Sequence, residues 1–222
     1  TALAMAAAMF VLPSVSCGND SKGGGSGYMY SLTLLRNPRT LDPQNADDAS
    51  SLTVIKNMFS GLLETDRKGN ISCCNAVSYD VSEDGLEYTF YLREDNYWFY
   101  DMNKNDVIEQ GEFFPVVAAD YAFALKRLLD PEMHSPYAKD FTCIQHGELI
   151  NNGELALELA GVTAISDYVL KINLDYPCAE FPQLLASPAA YPCNEKFFNA
   201  PWVKMLKLKG SFGKSGNSRI DI

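Results

Sequence analysis

The sequence predicts a mixed α and β fold, and three observations predict it. Residues 88–92 and 168–174 alternate apolar and polar side chains with a period of two, as strands with one buried face do. Residues 118–130 instead repeat their apolar side chains at helical spacing, with Tyr121, Ala124, Leu125, Leu128 and Leu129 on one stripe. Strands and helices intermix without a strict strand-helix-strand repeat, and no internal period suggests a solenoid. A chain of 222 residues, 47% apolar and 12% aromatic, carries enough apolar surface for a substantial core. Disorder throughout is excluded, and one or two domains are expected.

In chain order, residues 1–11 come first, uncharged and rich in Ala and Met. This run is shorter than the roughly twenty residues a helix needs to span a bilayer, so it reads as the apolar region of a secretion signal. It leads into Leu12-Pro13-Ser14-Val15-Ser16-Cys17, and Val15-Ser16-Cys17 before Gly18 resembles the bacterial lipoprotein processing site. Residues 1–17 are therefore expected to be a lipoprotein signal, with Cys17 lipidated on its sulfur. The Gly and Ser stretch at residues 18–27 has no side chains able to pack and is expected to be a flexible linker to a membrane anchor. The chain opens at Thr1 with neither an initiating Met nor a basic start, so an incomplete N-terminus is expected.

The globular text begins at Tyr28. Tyr30, Leu32 and Leu34 alternate with Ser31, Thr33 and Leu35, which predicts a half-buried strand, and Asn37-Pro38-Arg39-Thr40 predicts a turn. A helix should follow, started by Ser50 and Ser51 as caps and carrying Leu52, Ile55, Met58, Phe59 and Leu62 at helical spacing. A turn is expected at residues 66–70, then the strand with Tyr88, Phe90 and Leu92 on one face. In the helix at residues 118–130, Lys126, Arg127 and Asp130 are read as the polar face, and Pro131 as the stop. Its start lacks a capping side chain because Val117 cannot accept a first-turn amide bond, a weakness of about 1 kcal/mol that Asp120 partly offsets through the helix dipole. Residues 101–111 form a loop rich in Asp, Asn and Glu; its spacing does not complete an EF-hand, so a solvated insertion is expected rather than a calcium site.

These residues also carry a family resemblance. Leu41-Asp42-Pro43, then Phe59-Ser60-Gly61-Leu62-Leu63-Glu64-Thr65-Asp66, then Ser82-Glu83-Asp84-Gly85-Leu86-Glu87-Tyr88-Thr89-Phe90-Tyr91-Leu92-Arg93 resemble the family 5 extracellular solute-binding proteins in order and spacing. Ala118-Ala119-Asp120-Tyr121, Leu125-Lys126-Arg127-Leu128-Leu129-Asp130-Pro131, Ser135-Pro136-Tyr137-Ala138 and Gly161-Val162-Thr163-Ala164 continue it. The resemblance is strongest to the oligopeptide branch. It implies a mixed α/β fold of the class II periplasmic-binding-protein-like type, incomplete here, with domain two plus part of domain one. Residues 28–59 would start domain one, residues 60–193 form domain two, and residues 194–222 begin the return to domain one.

The family holds an extended peptide between its first and third domains, where strand addition supplies affinity through the main chain and roomy pockets tolerate varied side chains. The resemblance places Asp47, Asp48 and Ala49 at a ligand-contacting segment and Tyr137 and Ser187 at ligand-lining positions. Read as residues alone, Asp47 and Asp48 equally suit a solvated turn ahead of a helix, and Tyr137 a packed turn. The implied function is an extracytoplasmic, lipid-anchored receptor that captures oligopeptides for an ABC permease and ATPase complex, at the outer face of the cytoplasmic membrane or in the periplasm. Alternatives within the family are dipeptide, nickel or oligosaccharide receptors; outside it stands a truncated surface lipoprotein acting through protein interaction.

Other function classes lack support in the residues. Twenty-eight acidic against 18 basic side chains give a net charge of −10, which disfavours nucleic-acid binding. No GxSxG is present, and Asp42 beside Pro43 reads as a turn residue rather than a catalytic acid, so no enzyme, catalytic residue or cofactor is expected. His134 and His146 have no metal-binding spacing, and no metal site is expected. Besides Cys17 there are Cys73, Cys74, Cys143, Cys178 and Cys193, an odd number, and no particular bridge is predicted. Beyond Asn199 the resemblance stops in a tail bearing Lys204, Lys207, Lys209, Lys214 and Arg219. A reading-frame error is the favoured explanation, and a basic tail touching anionic lipid the alternative.

Overall fold

The alternation at residues 88–92 becomes the centre of a sheet in the computed structural model, which describes residues 34, 36–99 and 109–195. In chain order the elements are helix α1 (Ala49–Met58), strands β1 (Leu63–Thr65), β2 (Ile71–Cys73), β3 (Ala76–Val81), β4 (Glu87–Leu92), β5 (Tyr97–Phe99) and β6 (Phe113–Pro115), and helix α2 (Ala118–Leu129). Helix α3 (Gly147–Asn151), strands β7 (Val162–Ser166) and β8 (Val169–Asn173) and helix α4 (Phe181–Leu185) follow. The strand expected around residues 30–35 lies outside the described residues except for Leu34. So do Cys17, the linker at residues 18–27, most of the acidic loop and the basic tail.

Four strands pair antiparallel in the order β3-β4-β8-β7. The apolar alternation dictates which face is buried. Tyr88, Phe90 and Leu92 of β4 point inward, as do Leu170 and Ile172 of β8, and the register sets Phe90 opposite Leu170 and Tyr88 opposite Ile172. Helix α2 covers this face, with Tyr121, Leu125, Leu128 and Leu129 fully buried; each such side chain contributes about 1.5–3 kcal/mol through the apolar area removed from water. Aromatic contacts fix the geometry further, with Tyr79 stacked on Phe90 at 5.2 Å and Tyr88 edge-on to Phe181 at 5.1 Å.

Three local expectations change. Helix α1 is capped by Asp48, not by Ser50 or Ser51: the Asp48 Oδ1 accepts from the Ser50 and Ser51 amides at 3.1 and 3.0 Å. The two serines turn inward on the buried face with Val54 and Ile55, while Met58 is exposed. Arg127 does not belong to a solvated face of α2; it is 5% exposed and ion-paired. The weak start of α2 is also repaired more directly than by a dipole, since Asp120 Oδ2 accepts from the Val117 amide at 3.0 Å and from the Trp98 indole at 2.8 Å. The β5-β6 hairpin, pairing Trp98 with Phe114, is what brings that indole to the helix start.

Gly61 and Gly161 mark points where close chain approach leaves no room for a side chain: at Gly161 a Cβ would lie 2.5 Å from the Gln145 Cβ and 2.8 Å from the Asn173 carbonyl oxygen. At Gly61 a Cβ would lie 2.8 Å from the Tyr191 ring and 2.9 Å from the Leu63 carbonyl oxygen, so the segment leaving α1 passes directly against residue 191.

Candidate functional site

The candidate site is built on the segment from Arg39 to Ala49, which has little regular structure of its own and must be held from outside. Its first turn is an Asx turn: Asp42 Oδ1 accepts from the Gln44 amide at 3.1 Å, and the Asp42 carbonyl from the Asn45 amide at 3.1 Å. The same carboxylate receives Arg127, whose Nη1 donates to Oδ1 at 2.9 Å while Nη2 closes the second arm of a bidentate pair onto Oδ2. Burial disfavours the Arg127 charge, but the hydrogen bonds and charge of Asp42 outweigh it and push its pKa up.

Gln44 is fully buried and uses both ends of its amide. Its nitrogen donates to the carbonyls of Ala189 and Tyr191, each at 3.0 Å. Its oxygen accepts from Arg127 Nη1 at 2.7 Å and from the Cys193 thiol at 2.9 Å. The carbonyls of the segment face residues 135–137, where Ser135 Oγ donates to Gln44 O and Tyr137 Oη to Ala46 O, both at 2.6 Å. A buried polar group without a partner costs about 1–3 kcal/mol, so this mutual satisfaction locks residues 42–46 in one conformation.

The residues singled out in the sequence fall around this locked segment. Tyr137 is half-buried with its hydroxyl on Ala46; burial first, then the charges of Asp47 and Asp140, raise its pKa. Asp47 is exposed and paired with Arg39. Asp48 spends its carboxylate on the α1 amides, the Ser51 hydroxyl and Arg39 Nε at 3.4 Å. The Ser51 bonds come first among the causes that hold its pKa down at about 2. Ala49 is exposed at the first turn of α1. Ser187 donates its hydroxyl to Leu184 O at 2.6 Å and starts the single 3-10 turn Pro188–Ala190, whose Ala189 carbonyl Gln44 holds. The fold thus gathers Asp47, Asp48, Ala49 and Tyr137 about one segment and sets Ser187 beside the residues that anchor it.

The arrangement offers a rigid edge with a loose ion pair on it. Arg39 and Asp47 side chains are 66% and 56% exposed, so their pairing is worth at most about 1 kcal/mol and either partner is free to exchange onto a charged ligand terminus. Sequence reasoning missed Arg39, Gln44, Ser135, Arg127 and Cys193. Only Arg127 had a legible signal: it stands seven residues after Asp120, within about 20° of it around the helix, at the margin of the apolar stripe.

Both histidines sit at turns with left-handed backbone, His134 at φ 50° and His146 at φ 63°. Among the described residues no group of three or more His, Cys, Asp or Glu could hold a metal ion, and no helix is long and apolar enough to cross a membrane.

Comparison with known proteins places this geometry. Residues 74–212 match the model of the bacterial extracellular solute-binding proteins, family 5 Middle. The chain is 32% identical over 177 residues to the oligopeptide-binding protein OppA of Bacillus subtilis (strain 168), covering 80% of this chain and 30% of that protein. It is 32% identical over 157 residues to a dipeptide-binding protein of Lactococcus lactis subsp. cremoris (strain MG1363), covering 71% of this chain and 26% of that one. A solved structure of Listeria monocytogenes OppA bound to peptide superposes with a TM-score of 0.63 at 32% identity, over 70% of this chain and 28% of that chain. These relatives are named as binding proteins, and this chain spans about 30% of their length or less.

Proposed function

Since this chain belongs to the bacterial extracellular solute-binding proteins of family 5, we propose that it forms part of an extracytoplasmic receptor that captures oligopeptides for an ABC importer. The observation that carries the reading is the locked segment at residues 42–46. A receptor that binds peptides of many sequences must recognise the main chain, and main-chain recognition needs a partner edge whose own conformation is fixed before the ligand arrives. The buried Arg127–Asp42 pair, the Gln44 amide and the Tyr137 hydroxyl supply that fixing, and the exposed Asp47 and Arg39 stand at the end of the edge where a peptide's charged terminus would lie.

In this reading residues 39–49 with Tyr137 and Ser187 form one wall of the cleft, and a further domain supplies the other by hinge closure. Residues 28–59 belong to the first domain and residues 60–193 to the second. The protein binds and delivers its ligand without chemistry, and an acylated Cys17 tethers it beside its permease and ATPase.

The test is a chimera of the Bacillus subtilis relative that carries residues 36–193 of this chain in place of its own matched segment. Isothermal titration with tripeptides to nonapeptides should give saturable binding, weakened in the Asp47→Ala chimera. A chimera that melts cooperatively and binds none of them would sink the peptide reading; binding of nickel or oligosaccharide instead would redirect it within the family. Mass spectrometry of the envelope-extracted protein for acyl chains on Cys17 tests the tether separately.

A further inference from the structure

The end of α1 and the start of the β5-β6 hairpin enclose a small cavity apart from the peptide edge. It measures about 90 Å³ and is open to solvent; its walls include Phe59, Tyr97, Trp98 and Val116, and its polar lining Asn75 and Asn96. None of residues 39–49, Tyr137 or Ser187 lines it, and the length of α1, about 15 Å, separates it from Asp48. The aromatic walls are set before anything enters. Phe59 follows α1 with its amide on Ile55 O at 2.9 Å, and its ring meets Trp98 edge to face, centroids 6.0 Å apart and planes at 70°. The Trp98 indole N–H donates to Asp120 Oδ2 at 2.8 Å, which holds that ring in place.

Asn75 is 5% exposed and its backbone is held on both sides: its amide donates to Gly61 O at 3.0 Å and its carbonyl accepts from the Arg93 amide at 2.9 Å. Its side-chain nitrogen donates to Ser60 O at 3.2 Å and to the Tyr121 hydroxyl, whose own proton goes to Ser60 O. A carbonyl oxygen only accepts, so the amide has one orientation, with the nitrogen toward Ser60 and both of its protons used. That leaves Asn75 Oδ1 with no donor among the described residues, yet it is not sealed from solvent. It therefore opens on the cavity that Asn75 lines. The Asn96 side chain, half-buried in the same lining, also has no hydrogen-bond partner among the described residues.

We propose that this cavity binds one phenol ring, with the ring against Phe59 and Trp98 and its hydroxyl donating to Asn75 Oδ1. The volume sets the ring. An enclosed apolar cavity of about 150 Å³ takes benzene whole, so one of about 90 Å³ with an open side takes a single six-membered ring whose far edge stays in the mouth, and a fused bicycle is too large. The unmet oxygen sets the substituent. A hydrocarbon ring would strip water from Asn75 Oδ1 and return no hydrogen bond, and a carboxylate would meet it as a second acceptor, whereas a phenol O–H satisfies it. Two sources carry this ring, free phenols and the tyrosine side chains of polypeptides.

The nitrogen-15-labelled 222-residue chain is titrated with phenol and, separately, with toluene, its near-isostere without the donor, while the Asn75 side-chain amide and the Trp98 indole N–H signals are followed by NMR. Phenol should shift both signals saturably, with a Kd of about 1–10 mM for a ligand of so few atoms. In Asn75→Leu the ratio of phenol affinity to toluene affinity should fall about tenfold, because the hydrogen bond is lost and a hydrocarbon surface replaces it. N-acetyltyrosinamide and p-cresol then separate the sources. Tighter binding of the first points to a tyrosine of a polypeptide and tighter binding of the second to a free phenol, and either result upholds the ring site. A folded chain whose two signals show no saturable shift throughout the millimolar range of phenol overturns the proposal, and that result needs no variant to fold. An affinity ratio unchanged in Asn75→Leu overturns it as well.

Discussion

Replacing Arg127 by Ala is the perturbation with the largest expected cost. The substitution removes a guanidinium that is 5% exposed and serves both oxygens of Asp42 and the oxygen of Gln44. Removing one partner of a buried ion pair typically costs about 3–5 kcal/mol, because the remaining charge stays desolvated without compensation. Here Asp42 retains 20% side-chain exposure and can recover some water, so the lower half of that range applies, about 3–4 kcal/mol. For a chain of this size each kcal/mol shifts the melting temperature by roughly 2–4 °C, so a fall of about 6–16 °C is expected. Urea unfolding followed by circular dichroism measures the loss. Amide exchange at Gln44 and Asn45, whose protons are held by Asp42, should accelerate more than exchange in β4 and β8. Asp42→Ala and the double variant complete a cycle in which a coupling of about 1–3 kcal/mol is expected. A loss under about 1 kcal/mol, or a coupling near zero, refutes the claim that this pair fixes the segment.

Three further outcomes are expected. The Asp48 carboxylate is held down at about 2, below its unfolded value near 3.9, so its contribution to stability is complete above about pH 4 and is lost as pH falls toward 2. Asp48→Ala should melt lower than the parent at pH 7, and the difference should shrink on acidification to pH 2.5; an unchanged difference would show that the cap is not what titrates. Tyr137→Phe removes the hydroxyl from Ala46 O and should cost about 1 kcal/mol in urea unfolding, with the circular dichroism spectrum retained. Gly61→Ala puts a methyl 2.8 Å from the Tyr191 ring and 2.9 Å from a backbone oxygen, and should cost about 1–3 kcal/mol; a neutral effect would mean that Tyr191 moves freely.

The elements legible in the sequence are those in which every residue obeys one period. Residues 87–92 and 169–173 alternate cleanly because one face of each strand meets the core, and α2 shows its stripe because the sheet covers it. The reading failed where a polar residue was recruited inward. Ser50 and Ser51 looked like caps because serine favours that position, yet the adjacent Asp48 carboxylate serves both amides and the serines fill the buried side. Arg127 looked solvated because periodicity says nothing of a partner 85 residues earlier. Short pairings such as β1 with β2 and β5 with β6 left no periodic trace, having only three residues each. Asp47, Asp48, Ala49, Tyr137 and Ser187 came from family resemblance, and no spacing within the chain joins them. Residues 47 and 137 are brought together by the hydroxyl of one and the carbonyl beside the other, a contact that only the folded chain defines.

The same helix that covers the sheet also organises the candidate site, and its geometry explains why. Asp120 and Arg127, two turns apart on one side of α2, each reach a different passing segment as well as the one they share. Asp120 Oδ1 accepts from the Asn194 side chain at 3.2 Å and its carbonyl from the Cys193 amide at 3.2 Å, while Arg127 holds Asp42 and Gln44, and Gln44 in turn bonds the Cys193 thiol. Tyr121, between them, donates its hydroxyl to Ser60 O at 3.2 Å and is itself met by the Asn75 amide. Three stretches distant in sequence, near residues 42–44, 60 and 193–194, are therefore fastened to one helix whose apolar stripe, Tyr121 included, is sunk in the core. A force that moved any one of them would have to break a buried hydrogen bond or tilt the helix against the fully buried Leu125, Leu128 and Leu129. This makes the segment at residues 42–46 stiff although it contains no regular structure, and stiffness of that kind is what the proposed role as a main-chain binding edge would require, since an edge already ordered loses less entropy on binding.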